Sequence, residues 1–384
     1  MGLRVSSLGW AAVVVAALGV VVGRWLGWAE LAALGVGAAA VAVLALGMTA
    51  GRTRYDVRLD MADRRVAIGQ RAVGRVEVRN VARRRALPSR IELPVGSSGA
   101  DLAVPSLAPG ARHEEVFAIP TARRAVVVIG PVRSWRGDPL GLVRRSVRWT
   151  DPVDLYVHPR VVPLGGASSG LLHDLEGQAT RERSDSDLSF HALRDYVAGD
   201  DRRYIHWRTS ARRDTLMVKQ FEDTRRTRTV LVLADAARDY RSDDEFELAV
   251  SAVASIGVQA LRDERALTVL AGPGRLRVET PALLLDDCSG VALRASGSGS
   301  STVGRRVARE GGSDASVAFL LTGSAPDEAD LRLAARQVPA GVRTVLVRCA
   351  PDEALRVRTQ GSLTFATLPT LDDLPRVLRR AVLP

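Results

Sequence analysis

Residues 229–272 read TVLVLADAARDYRSDDEFELAVSAVASIGVQALRDERALTVLAG: an apolar run, a helix-patterned stretch, then a second apolar run. The runs TVLVLAD (229–235) and ALTVLAG (266–272) are continuous rather than alternating, the pattern of strands buried on both faces. Between them Phe246, Ala249, Val250, Val253 and Ile256 recur at helical spacing. SVAFLLTG (316–323), RTVLVRC (343–349) and SLTFATL (362–368) continue the apolar series, and LDDLPRVLRRAV (371–382) closes the chain as a helix. Strand and helix alternating over short links predict a doubly wound α/β sheet with helices on both faces. Ligands of such sheets sit at the C-terminal ends of the strands, which singles out Asp235 at the end of the first. SGSGSS (296–301) has no Lys-Ser or Lys-Thr after it, so it reads as a flexible loop rather than a phosphate cradle.

Upstream, the chain changes class twice. Two apolar runs, from Val5 to Gly23 and from Leu31 to Met48, are each about long enough to cross a bilayer. The break RWLGWAE between them carries Trp25 and Trp28, of the kind that settles at a membrane interface. The arginines that follow, Arg52, Arg54, Arg58, Arg64 and Arg65, place both ends of this hairpin in the cytoplasm by the positive-inside rule. Gly23, Gly27, Gly35 and Gly37 are candidates for close helix approach. From 55 to 160, short strands separated by Gly, Pro and Asn clusters predict a β-sandwich, with LAPG (107–110) as a hairpin turn. Residues 164–187 lack periodicity and read as a linker. The expected divisions are thus a transmembrane hairpin (1–50), a sandwich (51–163), a linker (164–193) and an α/β domain with its leading segment (194–384).

The net charge of +11 would ordinarily raise nucleic acid as a partner, yet Lys219 is the one lysine among 54 basic residues and the arginines are scattered. No nucleic-acid partner is expected. Cys288 and Cys349 stand apart in no CxxC pattern, which excludes a disulfide framework and a thiolate zinc site.

RDYVAGDDRRYIHWRTSARRDTLMVKQFE (194–222) sets Asp, Arg, His, Ser and Lys side by side. Gly199 and Asp200 read as a turn and an N-cap, opening a helix from 201 to about 212. On it Tyr204, Trp207, Arg208 and Ala211 share a face expected to anchor in the core. Arg202, His206, Ser210 and Arg213 share a polar face expected to be exposed. His206 and Ser210 lie one turn apart, the spacing of a base and a nucleophile, but the serine lacks the strand-to-helix elbow that such a nucleophile requires. TLMVKQFE follows as a strand carrying Lys219.

The order Tyr196, Gly199, Asp200, Arg202, His206, Trp207, Ser210, Arg212 and Lys219, with GDPLGL (137–142) and VHPR (157–160) upstream, resembles the family called domain of unknown function 58. The resemblance implies a membrane-attached chain, a sheet similar to a von Willebrand factor A domain, and partners comprising a MoxR-type AAA+ ATPase and other membrane proteins. Its biochemical activity is unassigned. It also implies a divalent metal site, Mg or Mn, at Asp235, Asp239 and Thr322, although both loop serines of the A-domain pattern are missing. The leading expectation is an interaction or scaffold protein with no catalytic residues. The rival is a metal-dependent enzyme or adhesion-type binding domain built on Asp235 and Asp239.

Overall fold

The computed structural model describes residues 2–49, 54–165, 188–197, 200–223, 228–312 and 315–382. It divides into two compact units, Met1–His158 and Pro159–Pro384.

The first unit begins with a short strand, β1 (Gly2–Val5), then two helices, α1 (Ser7–Leu26) and α2 (Ala29–Thr49). Both helices are long and apolar enough to cross a membrane. They pack through Gly19, Gly23 and Gly35: a Cβ on Gly19 would lie 2.8 Å from the Gly35 Cα, and one on Gly23 2.5 Å from the Ala32 nitrogen. Gly27 instead ends α1 at a φ of 73°, and Gly37 faces open space, so neither serves helix approach.

After the helices come β2 (Tyr55–Met61), β3 (Arg65–Ala67), β4 (Ala72–Asn80), β5 (Ser89–Val95), β6 (Ser98–Val104), β7 (Arg112–Ile119), β8 (Ala125–Ile129), β9 (Arg133–Gly137), β10 (Val143–Arg148) and β11 (Val153–His158). One sheet runs β1-β10-β9-β5-β8-β11-β3 with β6 beside β5; a second runs β2-β4-β7. Val57, Val76 and Val78 of the small sheet share a core with Ile91, Leu93, Ile129 and Leu155 of the large one. LAPG is not the expected hairpin, because β6 and β7 belong to different sheets. The fully buried Asn80 holds this crossover, its amide donating to the carbonyls of Arg84, Leu107 and Ala108.

GDPLGL forms the seat of the helical pair. Ser6, which caps α1, donates to Leu142 O through both its backbone N–H and its hydroxyl, and Ala45 of α2 is buried with Leu142 and Val143. Asp138 fixes that loop by accepting from the N–H groups of Val143 (2.7 Å) and Leu140 (3.0 Å). Burial pushes its carboxyl up, but the backbone donors of Val143, Leu142 and Leu140 outweigh this and hold it below the usual carboxylate value.

The second unit opens with an antiparallel pair, β12 (Leu188–Asp195) and β13 (Met217–Asp223), so residues 188–193, expected in the linker, are strand. Between these strands lie a 3₁₀ turn (Arg202–Tyr204) and a short helix, α3 (Trp207–Arg213). Of the rest of the linker, Leu164 is buried in the core of this unit and 166–187 lie outside the described residues. The expected α/β alternation follows: β14 (Arg228–Leu233), α4 (Asp243–Arg262), β15 (Ala266–Ala271), β16 (Gly274–Arg275), α5 (Pro281–Gly290), α6 (Ser300–Glu310), β17 (Ala315–Thr322), α7 (Glu328–Arg336), β18 (Arg343–Cys349), β19 (Arg356–Gln360), β20 (Leu363–Leu368) and α8 (Leu374–Val382). The sheet order is β16-β15-β14-β17-β18-β20-β19, with five parallel strands at the centre and an antiparallel strand at each edge. On one face Phe246 of α4, Leu284 of α5 and Leu374 of α8 share a core with Leu231 and Phe319. On the other, Val303 of α6 and Leu331 of α7 pack over Val230, Leu320 and Leu346.

Candidate functional site

Two polar constellations occupy the second unit. The first is the segment from β12 to β13. The helix expected over 201–212 is broken at Ile205, which is extended and bridges to Val218, while His206 N–H donates to Met217 O at 2.8 Å. Pairing with β13 thus removes the hydrogen bonds that would have continued the helix. Asp201, rather than Asp200, caps the 3₁₀ turn through Arg203 N, and His206 caps α3, its Nδ1 accepting from Thr209 N at 3.2 Å.

The expected polar face holds at Arg202 and Arg213, which are exposed, but not at Ser210, and the expected core face does not hold, since Arg208 and Ala211 are exposed. Trp207 is 65% exposed and Tyr204 only half-buried, whereas Ser210 is buried together with Ile205, Met217 and Val218. Ser210 Oγ donates to His206 O (3.1 Å) and accepts from Met217 N (2.9 Å), stitching α3 to β13. Both the backbone N–H and the hydroxyl of Thr209 lie within hydrogen-bond distance of His206 Nδ1, at 3.2 and 2.8 Å. The serine and the histidine are thus each engaged with the backbone instead of with one another, which is not a nucleophile and base. Asp200 makes a two-pronged pair with Arg194, 2.7 Å for each prong, and accepts from Val197 N at 2.9 Å. The hydrogen bond to Asp200 raises the Arg194 guanidinium above its ordinary value. Arg202 and Arg212 are exposed, Tyr196 and Lys219 half-buried, and Gly199 lies outside the described residues.

The second constellation lies at the C-terminal ends of β14 and β17. Asp235, fully buried, accepts from Ser298 N through Oδ1, and its own N–H donates to Ser298 O at 3.0 Å. Asp239 accepts from Ser300 N through Oδ2, with Ser300 Oγ 3.4 Å from Oδ1. Since α6 starts at Ser300 and Gly299 offers no side-chain cap, the Asp239 carboxylate takes over the helix N-terminus. Burial pushes the Asp239 carboxyl up, partly offset by the Ser300 donors. The SGSGSS stretch is therefore no flexible loop: its amides are held by two aspartates. Gly297 is required there, because a Cβ would lie 2.6 Å from Asp235 O. Arg294, Ser298 and Ser300, which the sequence reading missed, are the other half of this site. The alternating glycines that let the loop press onto β14 were the signal for it.

Asp235 Oδ2 and Thr322 Oγ1 are buried without a hydrogen-bond partner among the described residues, the kind of oxygen atoms a cation would satisfy. The surrounding donors do not fit a divalent ion. Asp239 is spent on Ser300, the Arg294 guanidinium stands 3.9 Å from Asp235 Oδ2, and among the described residues no three His, Cys, Asp or Glu side chains gather. Glu245 is engaged elsewhere, accepting from Arg241 N and from both the N–H and hydroxyl of Ser324.

The curated protein YeaD of Bacillus subtilis (strain 168), described as uncharacterized, is 31% identical over 127 residues, 33% of this chain. The match spans 30% of that relative's length. Among solved structures, the CARDB domain of PF1109 from Pyrococcus furiosus, in complex with di-metal ions, covers 27% of this chain and 93% of that one, at 14% identity and a TM-score of 0.21. The sporulation control protein Spo0M of Bacillus subtilis covers 37% of this chain and 59% of its own, at 14% identity and a TM-score of 0.18. At such scores neither overlap carries an argument. Residues 192–282, from β12 into α5, match the family described as protein of unknown function DUF58.

Proposed function

We propose that this chain is a membrane-anchored interaction protein. In this reading α1 and α2 cross the bilayer as a hairpin with both ends in the cytoplasm, and the soluble part binds protein partners. A MoxR-type AAA+ ATPase and neighbouring membrane proteins are the partners proposed. The five parallel strands covered by helices on both faces support reading the second unit as von Willebrand factor A-like, a fold used here for docking rather than for metal-dependent adhesion.

The observation that carries the proposal is the surface of the signature segment. Among the described residues of the second unit four large apolar side chains are exposed, and three of them, Val197 (63%), Trp207 (65%) and Leu216 (44%), belong to this one segment. The same segment carries exposed arginines at 202, 203, 208, 212 and 213. Tryptophan and arginine are the side chains enriched where protein interfaces concentrate their binding energy. The polar residues that resembled a catalytic set are meanwhile engaged in holding the segment together. Co-purification from membranes with the ATPase, in each nucleotide state, is the test. Association weakened at least tenfold by Trp207→Ala is expected, and no association in either nucleotide state overturns the reading.

A further inference from the structure

A second surface in the same unit has the makings of a peptide site. Helix α7 covers β17 and β18, but no described helix continues over β20 and β19 on that face, and a cleft of 210 Å³ remains between α7 and the sheet edge. Its floor is apolar, formed by Leu331, Leu346 and Phe365, and its rim carries Arg348, Arg356 and Arg358. The acids of the cleft are already engaged: Glu353 pairs with Arg348 at 2.7 Å, Glu328 with Arg332 at 2.8 Å, and Asp327 caps α7 through Asp330 N. Arg332 in turn lies 5.9 Å from the Phe365 ring centroid. Arg356 and Arg358 are left over, with no ion-pair or hydrogen-bond partner among the described residues, two positions apart on the edge strand and so on the same face of it.

Free guanidiniums around an apolar floor complement one kind of occupant: an apolar side chain flanked by carboxylates. Arginine suits this role because its planar fork binds a carboxylate through two hydrogen bonds. A strand edge also uses charged side chains merely to avoid pairing with other edges. That explanation covers the arginines but not the cleft with its spent acids beside them.

We infer that the α7–β19 cleft binds a linear acidic peptide segment of a protein partner, with an apolar side chain seated over Phe365 and its flanking carboxylates on Arg356 and Arg358. The inference rests on the reading of the chain as an interaction protein, but not on the signature segment. The test is fluorescence polarisation on the full chain in detergent, with a fluorescein-labelled Glu-Glu-Phe-Glu-Glu peptide. Binding is expected to fall at least tenfold in R356E/R358E and with the Glu-Glu-Ala-Glu-Glu peptide, and to weaken with salt. It should be unchanged in W207A and in R262E/R309E, which alters net charge equally at two exposed arginines elsewhere. R356Q/R358Q, followed with a thermal melt, separates lost binding from lost folding. No binding by the wild-type chain, equal binding by R356E/R358E, or an equal loss in R262E/R309E would overturn the inference. Because W207A leaves the cleft intact, failure here and failure of the ATPase association are read separately.

Discussion

The signature segment and the strand-end site make an instructive pair. The first collects Asp, Arg, His and Ser within a dozen residues and resembles an active site, yet Asp200, Asp201, His206 and Ser210 each accept from the local backbone. The second joins residues sixty apart, Asp235 and Asp239 with the 294–300 loop, and buries both carboxylates. Density of reactive side chains in sequence is a poor guide to chemistry, because short polar side chains are also what turns and caps require. Burial is the sharper discriminator.

If that contrast is right, the largest effect belongs to the buried loop. Asp239→Ala removes the acceptor for Ser300 N and the cap of α6, and is expected to cost about 2–3 kcal/mol in chemical denaturation. Ser210→Ala comes next, at about 1–2 kcal/mol, because Met217 N–H is then buried without an acceptor. A loss below ~0.5 kcal/mol there would break the assignment of Ser210 as a stitch. Thr322→Val deletes a buried hydroxyl that has no partner, and is expected to stabilise the chain by about 1 kcal/mol, with no change on adding magnesium or manganese. Ion-dependent protection of the wild type that Thr322→Val abolishes would restore the metal reading. Trp207→Ala is expected to change stability by less than about 0.5 kcal/mol, since the ring is exposed, while weakening partner capture.

The finest test is the dependence on pH. The Asp239 carboxyl is raised, so its ionised form costs stability. The advantage of Asp239→Asn over wild type should shrink as pH falls from above the raised value towards about 3.9, the ordinary aspartate value. Asp138 is depressed and has the opposite sign: its advantage over Asp138→Asn is complete above about 3.9 and disappears as pH falls through the lower folded value. Melts of the two variants at a series of pH values should diverge from wild type in opposite directions.

Much of this architecture was legible. The strands at β14, β15, β17, β18 and β20 and the helices α4 and α8 announce themselves because burial on both faces of a sheet demands unbroken apolar runs, and one buried helix face demands a 3.6-residue period. β19, with the sequence RVRTQ, was missed because an edge strand exposed to water need not be apolar. α6 was hidden by the glycines and serines before it, since its cap comes from Asp239 and not from its own flank. The site residues were visible as residues, but not their roles. Nothing local says that His206 N–H will pair with Met217 O, so helix periodicity put Trp207 inside and Ser210 outside, the reverse of where β13 leaves them.

Only Ser6 separates β1, an edge of the large sheet, from α1, and α2 returns to bury Ala45 against the same 138–143 loop. A helical pair fastened at both feet is a bracket, not a leash. A pull on the sandwich would be carried by two attachments in parallel, and a twist of the helices would reach β10 with little slack to absorb it. For a chain anchored in a bilayer, as proposed, that stiffness would pass load from the sandwich straight to the membrane.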